Sequence, residues 1–194
     1  MPSTLQRSLA LAVAGLLVAG AAGCAAMKQQ MKGAPDGAKE IARATADISG
    51  QGGIQGTLTL IEFENDTGTA VRVIVDVKGD PSVLTPGKHG LHFHENGTCE
   101  PTFAAAGGHF DPGPHGVSSV EKNHPWHLGD LPNLMVDARG HGTLDAVTSS
   151  VTVTPGPRTL FDANGSAVII HAEEDQHTGQ KAGGGRIACG VIRK

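Results

Sequence analysis

The chain has 194 residues, enough for one domain with a substantial core. Its 15 basic and 19 acidic residues give a net charge of −4, and no basic patch is present, which excludes a nucleic-acid partner. With 28 glycines, ten histidines and no tyrosine, the composition points to many turns and a large supply of imidazole.

Arg7 precedes an uncharged apolar run from Leu9 to Met27, the layout of a secretory signal peptide over residues 1–23. The run is also about long enough to span a bilayer, so a membrane anchor is the alternative; its Ala and Gly content favours a cleaved signal. Ala21-Ala22-Gly23-Cys24-Ala25 resembles the bacterial lipoprotein cleavage site, where the cysteine becomes the lipidated first residue. Ala21 stands where that motif usually has Leu, and ordinary cleavage nearby is the alternative. Removing residues 1–23 leaves 14 basic and 19 acidic residues, a net of −5. This reading places the protein outside the cytoplasm, in the periplasm or cell envelope, touching a membrane only through a lipid on Cys24. Cys99 and Cys189 are then left as a pair, which in an exported protein reads as a disulfide. Closing so long a loop, it would stabilise the fold by about 4 to 5 kcal/mol in the chain-entropy picture.

Residues 24–42 are polar, with Gly33, Pro35 and Gly37, and read as a tether; a short helix over 38–44 is the one element they suggest. From residue 43 to 194 the chain reads as one domain. Period-two runs follow at Gln55 to Glu64, Ala70 to Val77, Thr143 to Val153 and Ala167 to Ala172. In the second, Val71, Val73, Val75 and Val77 share one face and Arg72, Asp76 and Lys78 most of the other, the pattern of a half-buried strand. Glycine and proline punctuate the runs and no long amphipathic helix intervenes, so the class is an all-β sandwich or barrel. The stretch from Thr98 to Asp130 lacks alternation, and so long a loop is uncommon unless it carries function.

Within GKHGLHFHENGTCE (87–100), His92 and His94 leave the same face of an extended strand while Phe93 turns to the other, which makes half of a metal site. Three further stretches supply partners: AGGHFDP around His109, HPWHLGD from His124 to Asp130, and IIHAEED around His171. An all-imidazole set of four suits Cu(II), and imidazole with carboxylate suits zinc.

These segments together resemble the copper/zinc superoxide dismutases, over about Arg43 to Lys194. HGLHFHENGTCEP is similar to that family's copper strand and disulfide loop, GGHFDP to the segment of the metal-bridging histidine, HLGD to the end of the zinc loop, and GGGRIACGVI to the closing strand. The resemblance implies a Greek-key β-barrel with long metal-binding loops. It also implies copper ligands His92, His94, His109 and His171, with His109 shared as an imidazolate between copper and zinc. On the zinc side it implies His127 and Asp130, and leaves the remaining ligand open between His115, six residues after His109, and His124, three before His127. Asp175 matches a carboxylate that orients metal-bound histidines without touching metal. Arg186 matches the cation beside copper, where a guanidinium holds a small anion more rigidly than Lys would. Lys181 would add positive potential at the mouth, His89 would brace backbone, His141 would be an exposed turn residue, and His177 would lie at the rim.

The activity implied is disproportionation of superoxide to oxygen and hydrogen peroxide, with His109 carrying a proton. Two other classes fit parts of the pattern: a copper-delivering module without turnover, and a structural envelope lipoprotein holding zinc alone. The complete copper set beside Arg186 argues against both. Monomer and homodimer are equally compatible with the sequence.

Overall fold

Nine strands form one antiparallel sheet among the described residues of the computed structural model, which are 34–66, 68–112, 127–177 and 183–194. In chain order they are β1 (Lys39–Gly50), β2 (Gln55–Asn65), β3 (Gly68–Lys78), β4 (Gly87–His89), β5 (Leu91–His94), β6 (Leu134–Val136), β7 (His141–Thr148), β8 (Ala167–His171) and β9 (Arg186–Val191). Their order across the sheet is β4-β6-β7-β3-β2-β1-β9-β8-β5. β4 and β5 are consecutive in the chain yet lie at opposite ends of that order, so the sheet is rolled into a nearly closed barrel. No helix among the described residues is long and apolar enough to cross a membrane.

The core follows from period-two alternation. Leu58 and Leu60 of β2 and Val71, Val73, Val75 and Val77 of β3 all turn inward and are buried. Across the sheet on the other face, Arg72 donates to both carboxylate oxygens of Asp145, at 2.8 and 2.7 Å. β1 begins at Lys39 and takes up most of the 38–44 stretch for which a helix was the expected element. Pairing decides this: Lys39 to Ser49 align with Glu64 to Gln55 of β2, and Ser49 and Gly50 with Cys189 and Ala188 of β9. The strand expected over Thr143 to Val153 ends at Thr148. Beyond it Val151 and Val153 drop into the core, and the buried carboxylate of Glu62 accepts from Val153 N (2.8 Å), Thr154 N (2.6 Å) and the Thr154 hydroxyl (2.9 Å). Three backbone and hydroxyl donors offset the cost of burying that carboxylate.

β5 is the last strand of the sheet, and loops cover its outer edge. Phe93 N donates to Gly129 O, Gly129 N to Phe110 O and Phe110 N to Phe93 O, each at 2.8 Å. Leu131 N donates to Leu91 O (3.2 Å) and Glu95 N to Gly108 O (3.1 Å). A Cβ at Gly129 would sit 2.5 Å from Phe93 O, so only glycine allows this approach. The HFH, GGHFDP and HLGD segments are thereby laced together.

Candidate metal centre

The backbone lacing sets the side chains. Phe93 and Phe110 fill the core, so His92, His94 and His109 emerge on the opposite side. His171 arrives from the end of β8, where the register shifts between Ile170 and His171; its backbone N–H donates to Gly90 O at 2.9 Å. Ring centroids of His92 and His109 are 4.0 Å apart, of His94 and His109 5.0 Å, and of His92 and His171 4.7 Å.

One nitrogen of each ring is fixed from behind. His92 Nε2 lies 2.7 Å from Asp175 Oδ2, His94 Nδ1 3.0 Å from Gly107 O, and His171 Nδ1 3.0 Å from Gly184 O. With a proton on each of these nitrogens, the other nitrogen carries a lone pair. Those others, His92 Nδ1, His94 Nε2 and His171 Nε2, are buried and have no hydrogen-bond partner among the described residues. Ligand atoms of His92, His94, His109 and His171 lie within 4.8 Å of one another. A second group, His109, His127 and Asp130, meets the same criterion and shares His109 with the first. In that group His109 Nδ1 is 2.7 Å from Asp130 Oδ1, and His127 N donates to Asp130 Oδ2 at 2.8 Å. Four converging imidazoles fit copper, and two imidazoles with a carboxylate fit zinc.

Electrostatics keep these rings ready for a cation. Burial pushes His92 down to about 4, against the pull of Asp175, and pushes His171 down to about 3; burial also holds His94 well below its usual value. All three are neutral at pH 7. His127 is raised by its bond to Asp130. Burial would raise Asp130, but hydrogen bonds from His109 and His127 override it and hold the carboxyl far below the usual range.

Metal-free protein should lose stability in acid. Above pH 6.5 the rings are neutral in both folded and unfolded chains, and their burial costs nothing through protonation. As pH falls toward 4, the unfolded chain gains protons at His92, His94 and His171 that the fold refuses, costing about 1.4 kcal/mol per pH unit for each ring. His127 acts in the opposite sense, one ring against three. The urea midpoint of metal-free protein should therefore drop steeply between pH 6.5 and 4.5; a flat midpoint there would contradict the burial of these rings.

Asp175 is itself clamped. Asn133 donates from Nδ2 to Asp175 O (2.8 Å) and accepts from Asp175 N (2.9 Å), while His177 N donates to Asp175 Oδ1 (2.7 Å). Arg186, the first residue of β9, donates from Nη1 to Phe103 O (2.6 Å) and from Nη2 to Gly107 O (2.5 Å). Burial lowers its pKa, against the opposing charge of Glu95. Cys99 and Cys189 form a disulfide with Cα atoms 5.9 Å apart, close to Arg186 in sequence and on the same loop as Phe103. His89 is buried, with Nδ1 2.7 Å from His171 O and Nε2 2.7 Å from Thr85 O, and so ties β4 to the end of β8. His141 is the first residue of β7, only partly exposed, with Nε2 2.9 Å from Asp76 Oδ1; the exposed turn expected there gives way to the pairing of β7 with β3. Cys24, His115, His124 and Lys181 lie outside the described residues.

Asn133 and Glu95 were not singled out from sequence. Each is one polar residue in a loop, and only the backbone it meets gives it a role.

A rolled antiparallel barrel carrying two histidine groups joined by one shared imidazole defines a β-barrel metalloprotein with adjoining copper-type and zinc-type sites. Residues 54–192 match the family model described as copper/zinc superoxide dismutase, and the chain belongs to that family. Among curated relatives, Superoxide dismutase [Cu-Zn] of Caulobacter vibrioides is 36% identical over 159 residues, covering 77% of this chain and 85% of the relative. Superoxide dismutase [Cu-Zn] 2 of Aquifex aeolicus is 36% identical over 152 residues, covering 75% of this chain and 83% of the relative. Among solved structures, one described as the clock protein EA4 superposes with a TM-score of 0.59 at 30% identity, covering 77% of this chain and 92% of that one.

Proposed function

We propose that the protein is a copper/zinc superoxide dismutase, converting two superoxide anions and two protons to oxygen and hydrogen peroxide. His92, His94, His109 and His171 hold the copper. His109, His127 and Asp130 hold the zinc, with a further ligand from His115 or His124. The observation that carries this reading is the convergence of three buried, partnerless ring nitrogens beside His109, whose Nδ1 is engaged by Asp130. Copper, when bound, would supply a one-electron acceptor and donor, and zinc a fixed positive charge.

The chain's own residues do the rest. Asp175, held by Asn133, fixes the ring of His92; the Gly107 and Gly184 carbonyls fix His94 and His171. Asp130 holds Nδ1 of His109, which leaves Nε2 facing the copper histidines as the atom that takes up a proton and delivers it to the second superoxide. The guanidinium of Arg186, fastened by two backbone carbonyls, offers the incoming anion a fixed positive charge. The whole chain is negative, so attraction must be local. Residues 1–23 as a cleaved signal, the stretch from residue 24 to the start of β1 at Lys39 as a tether and a lipid on Cys24 would place the enzyme in the periplasm or envelope, and the disulfide supports export.

Metal analysis and a superoxide-consumption assay on one purified sample test the reading. Copper and zinc with rapid consumption support it; bound copper without turnover would make the protein a copper carrier, and zinc alone a structural protein. For the zinc side, His115→Ala and His124→Ala should differ sharply. The true ligand's loss should lower zinc affinity by about tenfold or more, while the other change is nearly silent. Unchanged zinc content in both variants would remove both residues from the site.

A further inference from the structure

The peptide group between Gly107 and Gly108 is gripped at both ends by opposite charges. Its carbonyl accepts from Arg186 Nη2 at 2.5 Å and from His94 Nδ1 at 3.0 Å, and its N–H donates to Glu95 Oε1 at 2.9 Å. The next residue is His109. Gly107 has φ +77, and a Cβ there would meet Glu95 Oε1 at 2.5 Å and Asn96 Nδ2 at 2.6 Å, so the turn is shaped around the Glu95 side chain. One peptide thus links the anion-facing arginine, a copper-set histidine and the shared histidine, and an acidic side chain holds it.

We propose that Glu95 is a positioning and charge-setting residue for the anion site: its carboxylate locks the Gly107–Gly108 peptide that aims Arg186, and its negative charge weakens the hold of Arg186 on the anion. This rests on the reading of Arg186 as the anion-facing cation. The electrostatic half is independent of the positional half. Glu95 and Arg186 bind the two ends of one peptide group, at Gly108 N and Gly107 O, so the carboxylate lies near the guanidinium and acts on it through space in the sense that stabilises its charge; to an approaching anion the pair presents less than one full positive charge. A site that must admit and release a small anion at every turnover gains from attraction without retention, because uniform tight binding also captures chloride and phosphate. Glu95 follows His94 directly, so its backbone is anchored in the laced segment through Glu95 N to Gly108 O, 3.1 Å.

Two substitutions separate the halves. Glu95→Gln keeps an acceptor for Gly108 N–H and removes the charge; Glu95→Ala removes both. Azide binding to the copper- and zinc-loaded protein, followed by its visible absorption, reads the charge, and hydrogen exchange of the Gly108 amide reads the lock. Glu95→Gln should tighten azide roughly threefold at low ionic strength, an advantage that vanishes near 1 M salt, where the screening length falls to about 3 Å. Its Gly108 amide should stay protected. Glu95→Ala should speed Gly108 exchange by roughly tenfold or more. Unchanged azide affinity in Glu95→Gln overturns the charge-setting role, and unchanged Gly108 exchange in Glu95→Ala overturns the positioning role. Arg186→Ala in the same titration tells the two readings apart: azide weakened there, with Glu95→Gln silent, defeats only the role of Glu95. Azide unaffected by Arg186→Ala defeats the anion-site reading itself.

Discussion

His171→Ala should leave the protein folded, deplete its copper and abolish superoxide consumption. The ring ends β8 and is buried, but it lies against the other histidines, 4.7 Å from the ring of His92 and 5.8 Å from that of His94, whereas the preceding Ile170 packs in the apolar core. Its loss therefore removes little core. It removes one of the four ligand atoms that lie within 4.8 Å of each other, the one that β8 alone can supply. A three-histidine remainder would bind copper less tightly and with a different geometry, so copper content and its visible spectrum should change together. The zinc group does not include His171, and zinc content should hold near wild type. Full activity in this variant would remove copper from the proposed site.

Reduction of Cys99–Cys189, or the double change to Ser, should cost the most stability. The bridge spans a sequence separation of 90 residues and joins the loop that carries Phe103 to β9. Around Cys189 sits a second, small apolar cluster of Ala106, Ala167 and Ile169, with Cys99 and Phe103 packed against it. Loss of about 4 kcal/mol, as the chain-entropy picture gives for so long a loop, corresponds to a drop in melting temperature of roughly 10 °C. Activity should fall at the same time, because Arg186 is fastened to Phe103 and Gly107 on the freed loop. Mass spectrometry of the exported protein checks the premise: the two cysteines should be joined, and the N-terminal peptide should begin at a lipidated Cys24. Free thiols would contradict the export reading.

The convergence of His92, His94, His109 and His171 was legible because His92, Phe93 and His94 obey the simplest rule of strands, alternation, and because His109 and His171 sit in motifs that mark the family. The second group, His109 with His127 and Asp130, was legible as far as the described residues reach. His127 and Asp130 stand where HLGD predicts, while the spacing of His115 and His124 gives each an equal claim. β1 was missed as a strand because three of its inward positions are Ala42, Ala44 and Ala46, which carry little hydrophobic signal and have high helix propensity. Tertiary pairing with β2 and β9 overrides that preference. β4 and β6, three residues each, are too short to show any period. Asn133 and Glu95 act on backbone atoms distant in sequence, or across a turn whose shape composition does not announce.

The covered edge of β5 has a bearing on solubility. An exposed edge strand offers unpaired N–H and C=O groups as a template to any other chain, and natural sheets hide such edges. Here β4 and β5 are the two terminal strands, and the cover on β5 is made by the same segments that carry His109 and Asp130. The groups that would grip metal are thus also the stoppers against strand-to-strand stacking between molecules. Metal retention and resistance to aggregation are in that sense one property of this barrel.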